Sequence, residues 1–481
     1  MITARRMAAV DRNAEEMGIS QEKLMESSGN AIARTVQSMA SPGDRVLLIC
    51  GTGNNGGDAF VAARFLKDFD VTVRLIGHPE LISTDVARAN WDAISQSNID
   101  VDYWSDTSQV DLPNAAVIVD AIVGTGVRGA LREPAASVAR AINDHIAAVL
   151  SVDVPSGIDA DDGIAAGDMV AADHVITFHD EKPGLPGLSI PVTIADIGIP
   201  VAAERFVSIG DLHGRSRDPE SHKGDAGRIM IIGGGPYTGA PSLAGMATLR
   251  AGADLAFIHC PESIADTVAS ESSNFIVRPF EGTHLTHDHA DELLPHARDA
   301  DVVVIGPGLG DADETMQGVA TILEGFEGKC VVDADALQQV PKVSTDATLV
   351  CTPHLGEFER MGGVEMQSWE ERMPAVQVMA SELDVTILLK GHYDVISDGA
   401  EVRVNRTGNP GMTVGGTGDV LAGVTAALMG SDDHSPLEAA AIAAYVTGRA
   451  GDECFDAHGY GLLATDVAET IPRALWAGES P

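Results

Sequence analysis

Short apolar runs that break into glycine- and aspartate-rich loops recur along this chain, and they leave few folds open. Residues 45–50 lead into a loop at 51–58, residues 115–120 into 124–130, and residues 147–152 into 153–159; residues 71–76 form another such run. Beyond a polar, glycine-containing stretch at 208–220 the same unit returns at 228–232, 301–305, 330–332, 349–351 and 385–389. An unbroken apolar run too short for a helix reads as a strand buried on both faces, the signature of a parallel sheet. Helix-forming segments accompany the runs. Residues 5–18 carry Met7, Val10, Ala14 and Met17 at helical spacing, and residues 21–39 follow. A parallel sheet wound with helices binds ligands beyond the carboxyl ends of its strands, where these loops gather. At 481 residues the chain exceeds one ordinary core. The expectation is an α/β protein of two three-layer αβα domains, residues 1–207 and 214–479.

One loop stands apart. Residues 409–419 hold Gly411, Gly415, Gly416 and Gly418 and end at Asp419, just before an apolar run of helix formers. Glycine at that density loses too much backbone entropy to sit inside a helix or strand. The loop therefore delivers free amides to a helix N-terminus, which favours anions. Asp419 lies within that anion hole, where its carboxylate is expected to stay ionised and to accept a proton from a substrate hydroxyl. A carboxylate beside a phosphate cradle suits phosphoryl transfer to an alcohol. The bland alternative is a surface turn with Asp419 as a helix cap.

Composition narrows the partners. The net charge is −40, from 31 basic and 71 acidic residues, and only seven of the basic ones are lysines. Such a chain binds neither nucleic acid nor an anionic membrane surface, both of which need basic surface. It suits a medium of high salt, where self-repulsion is screened. No apolar run reaches the length of a membrane span and the first residues lack an export core, so a cytoplasmic protein is expected. Five scattered cysteines without paired spacing fit reduced thiols.

The amino-terminal loops carry specific chemistry. Residues 51–56 formally contain G-x-G-x-x-G, weak evidence alone. Asn54 and Asn55 are unusual in a dinucleotide turn, and their carbonyls suit a sugar, a phosphate-linked ligand or a monovalent cation. Arg128 is either a bidentate phosphate clamp or a solvated surface arginine. Taken in order, residues 51–58, Asp120, residues 124–130 and residues 152–159 (Val-Asp-Val-Pro-Ser-Gly-Ile-Asp) resemble the amino-terminal domain of the NAD(P)H-hydrate repair family over roughly residues 5–205. That resemblance implies a Rossmann-like NAD(P)HX epimerase, which interconverts the R and S hydrates of NADHX and NADPHX. It implies that Asn54, Asn55, Gly56, Gly57 and Asp58, with Gly124, Thr125, Gly126, Val127, Arg128, Gly129 and Ala130, hold the dinucleotide. Asp153 would contact the hydrated ring and shuttle its proton, and Asn55, Asp120 and Ser156 would bind potassium. Lys182 falls where the family carries a lysine; it either assists or forms a structural salt bridge. Thr52 stands where many relatives have proline.

The second half, over roughly residues 214–478, resembles the ribokinase-like ADP- or ATP-dependent NAD(P)H-hydrate dehydratases, with the loops after each run matching in order. The resemblance implies that Ala240, Gly308 and His354 face the hydrated nucleotide. Lys390, Gly391, His392, Tyr393, Asp394 and Gly418 would face ADP or ATP. Asp419 would deprotonate the C6 hydroxyl so that it takes a phosphoryl group, and phosphate would then leave. Magnesium is expected with the nucleotide, and the protein is expected to be a homo-oligomer. Asp333 and Asp335 either support magnesium indirectly or cap a helix, and neither is assigned to the site. His354 has an alternative as a buried core histidine. The rival reading is a ribokinase-like small-molecule kinase with a dinucleotide-binding or scaffold amino-terminal domain; its product would be a stable phosphoester.

Overall fold

The computed structural model describes all residues except 108–109, 127, 213–219, 432–433 and 477–481. The chain folds as two units, Met1–Ala203 and Glu204–Pro481.

The first unit is built on seven strands: β1 (Arg45–Cys50), β2 (Asp70–Ile76), β3 (Asp100–Trp104), β4 (Val117–Ala121), β5 (Ala148–Val152), β6 (His174–Phe178) and β7 (Val192–Ala195). They pair in the order β3-β2-β1-β4-β5-β6-β7, all parallel. Strand β1 shows why. Val46, Leu48 and Cys50 pack under the helices Ala4–Glu16, Gln21–Met39, Asn54–Phe65 and Asp85–Ser95, while Leu47 and Ile49 pack against Ala135–Asn143. A strand buried on both faces has no polar side to offer water, and each fully buried Leu or Ile contributes roughly 1.5–3 kcal/mol. Strand order reverses between β1 and β4, opening the crevice in which a doubly wound sheet holds its ligand.

The second unit continues with β8 (Arg228–Ile232), β9 (Leu255–Pro261), β10 (Ile276–Phe280), β11 (Val302–Ile305), β12 (Lys329–Val332), β13 (Thr348–Cys351), β14 (Thr386–Leu389), β15 (Asp394–Ser397) and β16 (Val402–Asn405). The order is β10-β9-β8-β11-β12-β13-β14-β15-β16; pairing is parallel up to β14, and the last two strands are antiparallel. Ile229 and Ile231 face the helices Gly239–Arg250, Thr417–Gly430, Pro436–His458 and Ala464–Leu475. Met230 and Ile232 face Ala290–Arg298, Asp313–Gly325 and Trp369–Leu383. Gly423 lets the Thr417–Gly430 helix lie directly on its neighbour. A Cβ there would stand 2.2 Å from the Ala244 carbonyl oxygen, and Thr248 Oγ1 donates to the Gly423 carbonyl at 3.1 Å.

The boundary lies earlier than the polar stretch at 208–220. Val207 N donates to Val404 O at 2.9 Å, so residues 206–207 extend the second sheet beyond β16. Asp211 then pairs at 2.7 Å with Arg403, which is 2% exposed. The glycine loop after β1 is also shorter than expected, because the helix begins at Asn54 rather than after Asp58. All five cysteines are buried and free. Among the described residues no helix is long and apolar enough to cross a membrane.

Candidate active sites

In the first unit a cavity of about 590 Å3 lies at the carboxyl ends of β1, β4 and β5, and Asn54, Asn55, Asp58, Gly124, Thr125, Gly126 and Asp153 all line it. Gly124 leaves no space for a side chain. A Cβ would sit 3.1 Å from Asp153 Oδ2 and 3.2 Å from Asn55 Oδ1, so the backbone passes over both groups. Asp153 has φ of 68°, a left-handed conformation costly for a residue with a Cβ. Its carboxylate accepts from Thr125 N and Thr177 Oγ1, each at 3.2 Å, and pairs with Lys182 Nζ at 3.2 Å. Lys182 is 1% exposed and also donates to Thr177 Oγ1 and to the Phe178 and Asp180 carbonyls. It is both a structural salt bridge and the group that fixes Asp153 as an oriented anion.

Asp120 lies beneath, fully buried. Oδ2 accepts from Ser151 Oγ at 2.7 Å and Ser156 N at 2.9 Å, and Oδ1 accepts from Ser156 Oγ at 2.6 Å. Burial pushes its carboxyl up, and these donors pull it back. Ser156 Oγ is also 3.2 Å from the Val123 carbonyl, and the Asn55 amide nitrogen is buried without a partner.

Other expected residues are placed differently. Gly56 and Gly57 serve packing, since a Cβ would stand 2.0 Å from Gly51 O or 2.6 Å from Met25 Cε. Arg128 is 78% exposed and 3.6 Å from Asp161; it, Gly129 and Ala130 are not part of the cavity wall. Val127 lies outside the described residues. No motif pointed to Asp11, which lines the cavity from the Ala4–Glu16 helix, nor to Ser83 and Thr84, and Thr52 was noted only for loop stiffness. Burial, then the charge of Asp153, pushes Asp11 up to about 7 against the opposing pull of Lys182. Burial holds Asp58 well above the usual range, with Asp153 and Asp11 adding to it.

In the second unit a cavity of about 750 Å3 opens beside the N-terminus of the Thr417–Gly430 helix, and His354, Lys390, Gly391, His392, Asp394, Asn409 and Gly418 line it. Gly416 caps that helix at φ 99°, and a Cβ would strike Leu243 Cδ1 at 2.5 Å. Thr417 Oγ1 ties back to the Met412 carbonyl at 2.8 Å. The first-turn amides have no partner one turn back and face outward as donors.

Asp419 is in the first helical turn and is not the cap. Its expected permanent ionisation needs correcting: burial, then the charge of Asp333, raises it to about 7, with Lys390 opposing. Asp333, left unassigned on sequence grounds, belongs to this group. It is 3% exposed, accepts from Thr352 Oγ1 at 2.7 Å, and takes a hydrogen bond from Lys390 Nζ at 3.0 Å. Burial works against the Lys390 charge, but Asp333, Glu357 and Asp419 together hold its pKa above the ordinary value. His354 is no core histidine. It caps the Leu355–Arg360 helix, with Nδ1 accepting from Glu357 N at 3.2 Å and its ring 57% exposed. Asp394 accepts from Gly391 N and Asn405 Nδ2, each at 2.9 Å, and burial pushes it up to about 6. Tyr393 packs on Trp369, ring centroids 5.4 Å apart, rather than lining the cavity. Ala240 and Gly308 meet each other outside that wall, where a Cβ on Gly308 would be 3.1 Å from the Ala240 Cβ.

Both units have counterparts among known proteins. The family described as NAD(P)H-hydrate dehydratase matches residues 229–473, and the YjeF-related protein N-terminus matches residues 21–184. The bifunctional NAD(P)H-hydrate repair enzyme of Methanothermobacter thermautotrophicus is 41% identical, covering 98% of this chain and 95% of its own. The enzyme of that name from Pyrobaculum aerophilum is 43% identical, covering 98% of each. Among solved structures, a ribokinase-like superfamily protein of Enterococcus faecalis V583 covers 56% of this chain and 95% of its own, at 26% identity and a TM-score of 0.50. This chain belongs to the family of bifunctional NAD(P)H-hydrate repair enzymes.

Proposed function

We infer that the protein restores hydrated nicotinamide nucleotides, the first unit epimerising R- and S-NAD(P)HX and the second dehydrating the S form with ADP or ATP. The observation that carries the reading is the Asp419–Lys390–Asp333 group beside the free amides of the Thr417–Gly430 helix. In our reading Asp419 takes the proton of the C6 hydroxyl, which attacks the terminal phosphorus of the nucleotide held along Lys390, Gly391, His392, Asp394 and Gly418. The helix amides and the Lys390 ammonium neutralise charge developing on the transferred group. Phosphate then leaves C6 as the N1 lone pair moves in, and loss of a C5 proton restores the dihydronicotinamide. Ala240, Gly308 and His354 are assigned to the hydrated nucleotide.

Among the described residues no three His, Cys, Asp or Glu side chains converge to hold a metal. Magnesium would therefore come bound to the nucleotide phosphates, a common arrangement for that ion. A potassium ion fits the first unit: Asn55 Oδ1, Asp120 Oδ1, Ser156 Oγ and the Val123 carbonyl are hard oxygen donors, and a cation would offset a fully buried carboxylate. Bound there, it would supply positive charge that pins the three loops around the hydrated ring. Asn54, Asn55, Asp58, Gly124, Thr125 and Gly126 would hold the dinucleotide. We further assign the protein to a salt-rich cytoplasm, on its net charge of −40.

The test incubates the protein with a mixture of R and S hydrates and either ADP or ATP, following dihydronicotinamide absorbance and inorganic phosphate. Full conversion of both epimers with one phosphate released per NAD(P)H is expected. A stable phosphoester product would overturn the reading in favour of a kinase.

A further inference from the structure

Inverting a carbon by losing and regaining water takes two proton transfers. The hydroxyl at C6 departs readily only if it is protonated as the N1 lone pair expels it, and water returns to the other face only as it gives up a proton. Two groups on two sides of the ring do this best, one acidic and one basic, with environments that push their pKa values apart. Asp153 fits the base. It is fixed by Thr125 N, Thr177 Oγ1 and the buried Lys182 ammonium.

We propose that Asp11 is the second proton-transfer group of the epimerase site, acting with Asp153 in the same cavity; this rests on the epimerase reading above. Asp11 comes from the Ala4–Glu16 helix and Asp153 from the end of β5, so the carboxyls reach one cavity from separate elements. The other titratable groups lining that cavity are Asp58, from the Asn54–Phe65 helix, and Lys182, beyond β6. Lys182 already serves Asp153, and Asp58 is assigned above to holding the dinucleotide. Asp11 has no hydrogen-bonded anchor among the described residues; burial and the Asp153 charge bring it to about 7, suited to giving and taking a proton near neutrality.

For one epimer, protonated Asp11 gives its proton to the C6 hydroxyl. The C6–O bond breaks with its electron pair leaving in water, and the N1 lone pair forms the N1–C6 double bond. Water then bonds to C6 from the opposite face, the π electrons return to N1, and Asp153 takes the proton released. The other epimer uses the two carboxyls in exchanged roles, and solvent in the open cavity resets them.

The experiment uses the full chain with Asp11→Asn and Asp11→Glu, following conversion of purified R hydrate without nucleotide. Wild-type protein is measured first; if it does not epimerise, the epimerase reading fails, whatever Asp11 does. In Asp11→Asn, kcat is expected to fall ~10²–10⁴-fold. The limb of the wild-type pH–rate profile near pH 7, where Asp11 titrates, should disappear. Affinity for NADPH, used as a binding probe, should stay within a few-fold. Asp11→Glu should recover part of the rate with that limb displaced. Near-wild-type turnover with the limb intact in Asp11→Asn would overturn the proposal. If the asparagine variant does not fold, an unmoved limb in Asp11→Glu would overturn it equally.

Discussion

Replacing Asp419 by asparagine should make the protein more stable and the dehydratase nearly inactive. Burial and Asp333 raise this carboxyl from 3.8 to about 7. Relative to the unfolded chain, the native state thus binds more protons between those values. Stability is then lost as pH climbs from about 4 to about 7, and the penalty stays constant above. About three units at 1.36 kcal/mol each gives roughly 4 kcal/mol as an upper bound, reduced in practice by solvent screening. Asn carries no charge to desolvate, so Tm at pH 8 should rise by several degrees over wild type, and the two should converge below pH 4. Removing the base should slow dehydration of the S hydrate ~10²–10⁴-fold, while R-to-S epimerisation persists. Wild-type dehydration should itself fall about tenfold per unit below pH 7, because only the ionised carboxylate accepts the hydroxyl proton. Calorimetry and absorbance on one preparation read both. An Asn variant that dehydrates well, or that melts lower at pH 8, would refute this account of Asp419.

Asp120→Ala should abolish potassium-dependent epimerisation and leave S-hydrate dehydration intact; epimerisation unchanged in rate and in its response to potassium would remove the cation site. With a net charge of −40, Tm and both activities should rise with KCl toward molar concentration, and a flat or falling Tm would count against the salt adaptation. Gly423→Ala should destabilise the second unit by roughly 1–3 kcal/mol, since its Cβ would meet the Ala244 carbonyl at 2.2 Å; denaturant melts that match wild type would show that the helices can separate at no cost.

The strands legible in the sequence were those buried on both faces, such as 45–50 and 228–232, where a continuous apolar run admits one reading. Strands β3 and β10 were missed because they lie at the sheet edges and carry exposed polar residues, Asp100 and Asp102 in one, Arg278 in the other. β6 and β9 each include a histidine that broke the apolar pattern. Asp419 was readable from its glycine loop, since glycine chemistry marks a ligand-bearing turn, whereas Asp153 and Lys390 came from the family resemblance. Asp333 had an equally good local explanation as a helix cap at the end of β12. Its partnership with Lys390 spans 57 residues and arises only when the strands are laid side by side. Asp11 was hidden more thoroughly, as one polar position on an amphipathic helix whose other face is core.

The clasp between Asp211 and Arg403 decides where this protein can be cut. A fragment beginning at residue 214 looks natural from the sequence, yet it would strip the 206–207 pairing from β16 and leave a guanidinium at 2% exposure without its counterion. Orphaning a buried charge costs about 3–5 kcal/mol, and the bared strand edge invites pairing between copies. A dehydratase fragment starting at residue 204 keeps both features. Proteolysis should accordingly release a second unit that still carries residues 204–212, and shorter fragments should aggregate.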